Sequence, residues 1–186
     1  MKSRNIVALV IAAVAMLHSC IEIDEFAPKQ RAAIESYLSD SYYRITADSA
    51  FVCLLDNKFG NVVDREHEGA KKGDRACFNV EAYTFNNSPA TKPYYTNKRY
   101  LAEATFKDMD LSYWDFEPYV VTIGKGEILK PLDEALEGSL VGDSIAVFLT
   151  SSIAYGHVAM GAVPKDTAVM IILTVESEED AASVAE

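Results

Sequence analysis

Between Tyr119 and Val175 the chain has room for one short helix, and the residues around it favour strand. Pro131 stands where a first helical turn tolerates a missing N–H, Leu132, Ala135 and Leu136 follow at helical spacing, and Gly138 or Gly142 can close the stretch. Tyr119 to Ile123 alternates ahead of it, and Ile145 to Thr150 and Val169 to Val175 are apolar, β-branched runs behind it. The helix is thus bracketed by strands that can curl around it. Strands outnumber helices, which gives an α+β class.

Upstream, Pro28 and the apolar positions Ala32, Ala33, Ile34, Tyr37 and Leu38 predict a short amphipathic helix ending by Asp40. Tyr42 to Ile45 and Phe51 to Leu55 read as strands, and Asp56 to Gly73 as a polar loop. Cys77 to Phe85 alternates, with Cys77, Asn79, Glu81 and Tyr83 on one face against Phe78, Val80, Ala82 and Thr84 on the other. Residues 86 to 98 contain Asn86-Asn87-Ser88-Pro89 and Lys92-Pro93, turn formers that predict an exposed loop. Arg99 to Phe106 is read as another strand, and Lys107 to Pro118 as an irregular, aromatic stretch.

The N-terminus bounds the compartment. Lys2 and Arg4 precede an uncharged run from Ile6 to Leu17, the charged and apolar regions of a secretion signal. A permanent span needs roughly 20 apolar residues, so this run is a signal and not an anchor. Leu17-His18-Ser19-Cys20 resembles the lipobox of bacterial lipoproteins, which implies cleavage after residue 19 and diacylglycerol on Cys20. Acyl chains contribute about 0.8 kcal/mol per buried methylene, enough for two or three of them to hold the chain at a membrane. The expected organisation is a signal over 1–19, a lipidated tether and short helix over 20–40, one domain over 41–176, and an acidic flexible tail over 177–186. The location is the cell envelope, at the outer membrane, with either face open.

Seventeen Lys and Arg against 28 Asp and Glu give a net charge of −11, and loss of Lys2 and Arg4 with the signal takes it to −13. Such a surface repels phosphates, so nucleic acid is excluded as a partner, and it favours a soluble monomer. Cys53 and Cys77 lie in apolar runs, which favours two packed thiols over a bridge. With only His67 and His157 beside them, no metal-ligand spacing arises and no cofactor is expected.

Several separated signatures from Pro118 to Val175 resemble the FKBP-type peptidyl-prolyl isomerases. They are Tyr119-Val-Val-Thr-Ile-Gly-Lys-Gly-Glu-Ile-Leu129, the helix and turn from Leu132 to Gly142, Gly142-Asp143-Ser-Ile-Ala-Val-Phe-Leu149, Ala154-Tyr155-Gly156, and Pro164-Lys165-Asp166-Thr167 leading into Ala168 to Val175. Gly73-Asp74 and the strand ending at Tyr83-Thr84 are similar to the family's first long strand. The resemblance implies an FKBP-like fold, a twisted antiparallel sheet wrapped around one short central helix, preceded here by the N-terminal helix.

It also implies a shallow apolar pocket that acts on proline-containing polypeptides. In it, Tyr155 and the backbone N–H of Leu129 are the hydrogen-bond donors, and Tyr83, Tyr119, Ile128, Leu132, Val163 and Met170 bind the substrate. Leu132 stands where many active members have a pocket-floor tryptophan, and Met170 replaces a usual aromatic. The family's Phe-Asp pair has only Phe106 with Asp108 or Asp110 as candidates, and His157 is not at the position of the overhanging histidine. Two functions follow, an envelope prolyl isomerase, which is preferred, and a non-catalytic FKBP-like module that binds peptides or partner lipoproteins. A solute-binding lipoprotein built on the aromatics around Trp114 ranks below both.

Overall fold

The computed structural model describes residues 25–55 and 69–177. The expected secretion signal, Cys20, most of the expected polar loop from Asp56 to Gly73 and the acidic stretch beyond Ser177 lie outside the described residues. In chain order the elements are helix α1 (Phe26–Tyr37), strands β1 (Tyr43–Ile45), β2 (Phe51–Leu54), β3 (Arg75–Phe85) and β4 (Tyr95–Thr96), helix α2 (Arg99–Thr105), strand β5 (Tyr119–Thr122), helix α3 (Lys130–Leu136), and strands β6 (Ser144–Leu149) and β7 (Ala168–Glu176). Among the described residues, seven strands join one antiparallel sheet in the order β1-β2-β6-β7-β3-β4, with β5 also on β3. The α+β architecture expected from the sequence is therefore the one observed.

The spine is β3 paired with β7, from Cys77 opposite Glu176 to Phe85 opposite Ala168. On its other edge β3 is shared, with β5 along Arg75 to Phe78 and β4 along Glu81 and Ala82. Side chains alternate across a strand, so this register divides the apolar residues between two faces. One face gathers Val52, Ala76, Phe78, Ala82, Ile145, Val147, Leu149, Val169, Ile171 and Leu173 against Ala135 and Leu136 of α3. The opposite face gathers Phe51, Cys53, Phe85, Ala146, Phe148, Ala168 and Met170 against Ile34 and Leu38 of the N-terminal segment. The sheet is thus covered on both sides. Cys53 and Cys77 are buried, unbridged thiols, and burial pushes the Cys53 thiol up to about 11.

Two expectations are corrected. Arg99 to Phe106 is not a strand but α2 followed by its C-cap, because Leu101-Ala102-Glu103-Ala104 is a run of strong helix formers and Ala102 is fully buried. Residues 86 to 98 are exposed only in part. The Tyr94 N–H donates to the Ala82 carbonyl at 2.7 Å, Tyr95 and Thr96 pair with β3, and Asn97 accepts from the Val80 N–H at 2.7 Å. The two prolines punctuate the segment ahead of this return without preventing it.

Helix α1 does more than cover apolar surface. Gln30 accepts a hydrogen bond from the backbone N–H of buried Ser151 at 2.7 Å and donates to the Asp166 carbonyl at 2.8 Å. One side-chain amide thereby ties the helix to the 3₁₀ turn Ser151–Ile153 and to the loop ahead of β7. An orphaned buried donor costs about 1–3 kcal/mol, so Gln30→Ala is expected to lower the unfolding free energy by that amount in urea titrations. An unchanged midpoint would show that this link contributes nothing to the fold.

Candidate functional site

The site begins with how a seven-residue helix is kept in place. Helices shorter than about 12 residues are marginal in water, so α3 needs partners at both ends. At its N-terminus Asp133, itself buried, accepts from the Gly124 N–H at 2.9 and 3.0 Å and from the Gly126 N–H at 3.4 Å. Gly124 and Gly126 have φ of +83° and +70°, values a side chain strains to adopt, and they wrap the β5–α3 turn around that carboxylate. At the C-terminus Arg44 of β1 donates to the carbonyls of Glu134 at 2.7 Å, Ala135 at 3.2 Å and Glu137 at 3.4 Å. Its positive charge also suits that end of the helix dipole.

This clamp presents Ile128, Leu129 and Leu132 to the sheet. They border a hollow of about 390 Å³, walled by Phe78, Val80 and Ala82 of β3, Ile171 of β7, Tyr119 of β5, and Tyr94 and Tyr95 from the returning segment. Tyr155 and Met160 close it from the β6–β7 connection. None of these lining side chains is charged.

Two hydroxyl pairs rim the hollow, Tyr94 with Tyr155 at 3.1 Å and Tyr95 with Tyr119 at 2.7 Å. Tyr119 stacks on Phe78 with centroids 5.9 Å apart, and Tyr95 stacks on Trp114 at 5.5 Å. The Trp114 indole donates to the Thr96 carbonyl at 2.7 Å, so it buttresses Tyr95 from outside. The phenols of Tyr94 and Tyr95 are driven above the usual tyrosine range, by burial first and then by their hydroxyl partners. They stay neutral phenols and do not act as bases.

Of the residues predicted from the sequence, Tyr119, Ile128, Leu129, Leu132 and Tyr155 come together around the hollow. The Leu129 carbonyl accepts from the Leu132 and Asp133 N–H groups at 2.9 and 3.0 Å, while its own N–H makes no hydrogen bond among the described residues. Three predicted residues do not line it. Tyr83 and Met170 are register partners on the opposite face of the sheet, where the Tyr83 hydroxyl donates to Glu81 at 2.6 Å and Met170 packs in the α1 core. Strand parity puts their neighbours Ala82 and Ile171 at the hollow instead. Val163 is buried in the core beneath, paired through its backbone with Met160, whose side chain lines the opening.

Phe106, a candidate for half of the Phe-Asp pair, packs on Trp114 and does not line the hollow, and Tyr94 and Tyr95 occupy the wall just after β3. The residues missed in sequence were Phe78, Val80, Ala82, Tyr94, Tyr95 and Ile171. The alternation of β3 already put the first three on one face; the tyrosine pair had no signal beyond adjacency inside a turn-rich stretch.

A second cleft of about 430 Å³ lies beside α2, lined by Asn79, Asn97, Arg99, Phe116 and Glu176 among others. Its polar groups are largely taken. Asn79 donates to Glu176 at 3.0 Å, Asn97 to Asn79 at 3.1 Å, and Arg99 sits 4.2 Å over the Phe116 ring. The smaller hollow, with its free donor and uncharged wall, is the better functional candidate.

Residues 68–176 match the model of the FKBP-type peptidyl-prolyl cis-trans isomerase family. The chain belongs to that family. A curated relative, FK506-binding protein 1A of Neurospora crassa, is 32% identical over 68 residues, which are 37% of this chain and 57% of the relative. The chain thus spans under two thirds of that relative's length. A crystal structure of a peptidyl-prolyl cis-trans isomerase from Pseudomonas syringae pv. tomato is similar in fold, with a TM-score of 0.53 at 11% identity, covering 86% of this chain and 97% of that one. The hollow of this FKBP-type chain lies within the matched residues.

The clamp on α3 yields a direct test. Hydrogen bonds to a charged acceptor are worth about 1.5–3 kcal/mol, so Asp133→Ala is expected to cost that much in stability, and Asp133→Asn less because its amide oxygen still accepts. Chemical denaturation of the three proteins measures it. Equal stability of all three would mean that the carboxylate does not hold the turn.

Proposed function

We propose that the protein is a peptidyl-prolyl cis-trans isomerase of the bacterial cell envelope, held at a membrane by lipid on Cys20. The observation that carries the catalytic reading is the uncharged hollow lined together by Tyr155, Leu129, Ile128 and Leu132, in which the Tyr155 hydroxyl and the Leu129 N–H would be the donors. An X-Pro bond is a tertiary amide whose isomers differ by about 0.5–1 kcal/mol but are separated by a barrier near 18–20 kcal/mol. Twisting that bond breaks amide resonance. An apolar cavity that grips the proline ring, with a donor aimed at the carbonyl, stabilises the twisted state more than either planar one. No nucleophile, base or metal enters this mechanism.

A second reading is favoured by one residue. Leu132 presents less flat apolar surface than the tryptophan many active relatives carry, so the hollow grips a proline ring more weakly. On this reading the chain binds peptides or partner lipoproteins without turning them over. Proline-limited refolding and a short Phe-Pro peptide assay separate the two. Wild type is expected to be a weak catalyst, Leu132→Trp a better one, and Tyr155→Phe about two- to tenfold slower in kcat/KM, the loss of one neutral hydrogen bond. If neither wild type nor Leu132→Trp exceeds background, the binding module replaces the enzyme.

The envelope assignment rests on Lys2, Arg4, the apolar run to Leu17 and Leu17-His18-Ser19-Cys20. Lipid on that cysteine would leave the folded domain on a short acidic tether through Ile21-Glu22-Ile23-Asp24, near unfolded exported chains. Cys20→Ala is expected to lose acyl label and to leave the membrane fraction for the soluble one. A mutant that stays membrane-bound without label would require a different anchor.

A further inference from the structure

The rim of the hollow contains a constraint that follows from counting hydrogens. A neutral phenol has one hydrogen to donate and lone pairs to accept with. Tyr94 and Tyr155 hydroxyls are 3.1 Å apart, so one donates to the other, and only one hydrogen of the pair is left for a ligand. Which tyrosine keeps it decides which one can reach a carbonyl in the hollow.

The two differ in how they are held. Tyr94 follows buried Pro93 and is fixed to β3 through its own N–H, 2.7 Å from the Ala82 carbonyl. Tyr155 stands on a turn, closed by the Gly156 N–H on the Ser151 carbonyl at 2.6 Å, and meets the Tyr94 ring edge-on with centroids 6.3 Å apart. No other hydrogen bond of the Tyr94 hydroxyl exists among the described residues. Were Tyr155 to donate to Tyr94, its hydrogen would be spent and the one left to the pair would sit on Tyr94, the residue tied to β3 through its backbone.

We propose that Tyr94 is a positioning residue: its hydroxyl donates to Tyr155 and so directs the Tyr155 hydrogen to the carbonyl of the residue preceding a bound proline. This rests on the isomerase reading of the hollow and deepens it. A hydroxyl that accepts one hydrogen bond becomes a stronger donor in the next, so the relay both aims the Tyr155 hydrogen and strengthens its bond. Burial keeps the Tyr94 phenol protonated, so its donor persists at neutral and mildly alkaline pH. No carboxylate lines the hollow to draw that hydrogen away.

The test combines kinetics with a signature that does not need turnover. Tyr94→Phe keeps the ring and removes only the hydroxyl. It is expected to lower kcat about two- to tenfold, within the range of one neutral hydrogen bond and by no more than Tyr155→Phe does, with KM little changed. The double variant is expected to be no slower than Tyr155→Phe alone, since the relay has no target once its acceptor is gone. In protein labelled with ¹³C at tyrosine Cζ, a saturating Phe-Pro peptide should shift the Tyr155 signal in wild type and shift it less in Tyr94→Phe.

Unchanged kcat in Tyr94→Phe, losses that multiply in the double variant, or a loss in Tyr94→Phe larger than in Tyr155→Phe would each overturn the relay. An equal Tyr155 shift in both proteins would overturn it too. If wild type shows no isomerisation while its Tyr155 signal responds to peptide and that of Tyr94→Phe does not, the relay stands and the enzyme reading falls.

Discussion

The carboxylate of Asp133 is the contact on which the rest of the site depends. Seven residues of helix do not hold themselves together in water, and the turn that precedes them runs through two glycines in left-handed backbone. Asp133 collects the amides of that turn, while Arg44 closes the other end of the helix from the edge of the sheet. Leu129 and Leu132 reach the hollow only because the helix start is fixed relative to β5. The pocket is thus a consequence of a polar clamp as much as of apolar burial, and the clamp joins the first strand of the sheet to the turn after the fifth.

Sheet parity then decides what the pocket contains. With β3 and β7 in fixed register, Ala82 and Ile171 face α3 while Tyr83 and Met170 face α1. A shift of one residue would exchange the two sets and fill the hollow with a tyrosine and a methionine. The small Ala82 opens space that Tyr94 and Tyr95 enter from the returning segment, so the aromatic rim is rebuilt from a different stretch of chain. Helix α1 supports this from behind, because Gln30 holds the turn leading to Tyr155.

Much of this was legible in the sequence. Period-two runs and the Pro131 helix start gave β1, β2, β3, β5, β6, β7 and α3 to within one or two residues, since burial on one or two faces leaves a strong pattern. The border of the hollow was legible where local signals and family motifs coincide, at Tyr119, Ile128, Leu129, Leu132 and Tyr155. It was misread where motif matching and alternation disagreed. The β3 pattern put Tyr83 with Asn79 and Glu81, away from Phe78 and Val80, and the family resemblance alone pointed the other way. Tyr94 and Tyr95 carried no local signal, because their strand has two residues and exists only through pairing with β3. Arg99 to Phe106 was misread as a strand for a similar reason: a stretch this short gives periodicity too little to separate helix from strand.

On the proposed reading a prolyl peptide binds the face of the sheet toward α3, and not the face toward α1. The most direct measurement is a heteronuclear NMR titration of the folded domain with a short Phe-Pro peptide, following backbone amides and the cis and trans peptide signals together. Amide shifts are expected at Ile128, Leu129, Tyr94, Tyr95 and Tyr155, with silence at Tyr83 and Met170 and exchange between the cis and trans signals at substoichiometric protein. Shifts confined to the cleft of Asn79, Arg99 and Phe116, or none at any site at millimolar peptide, would contradict that reading.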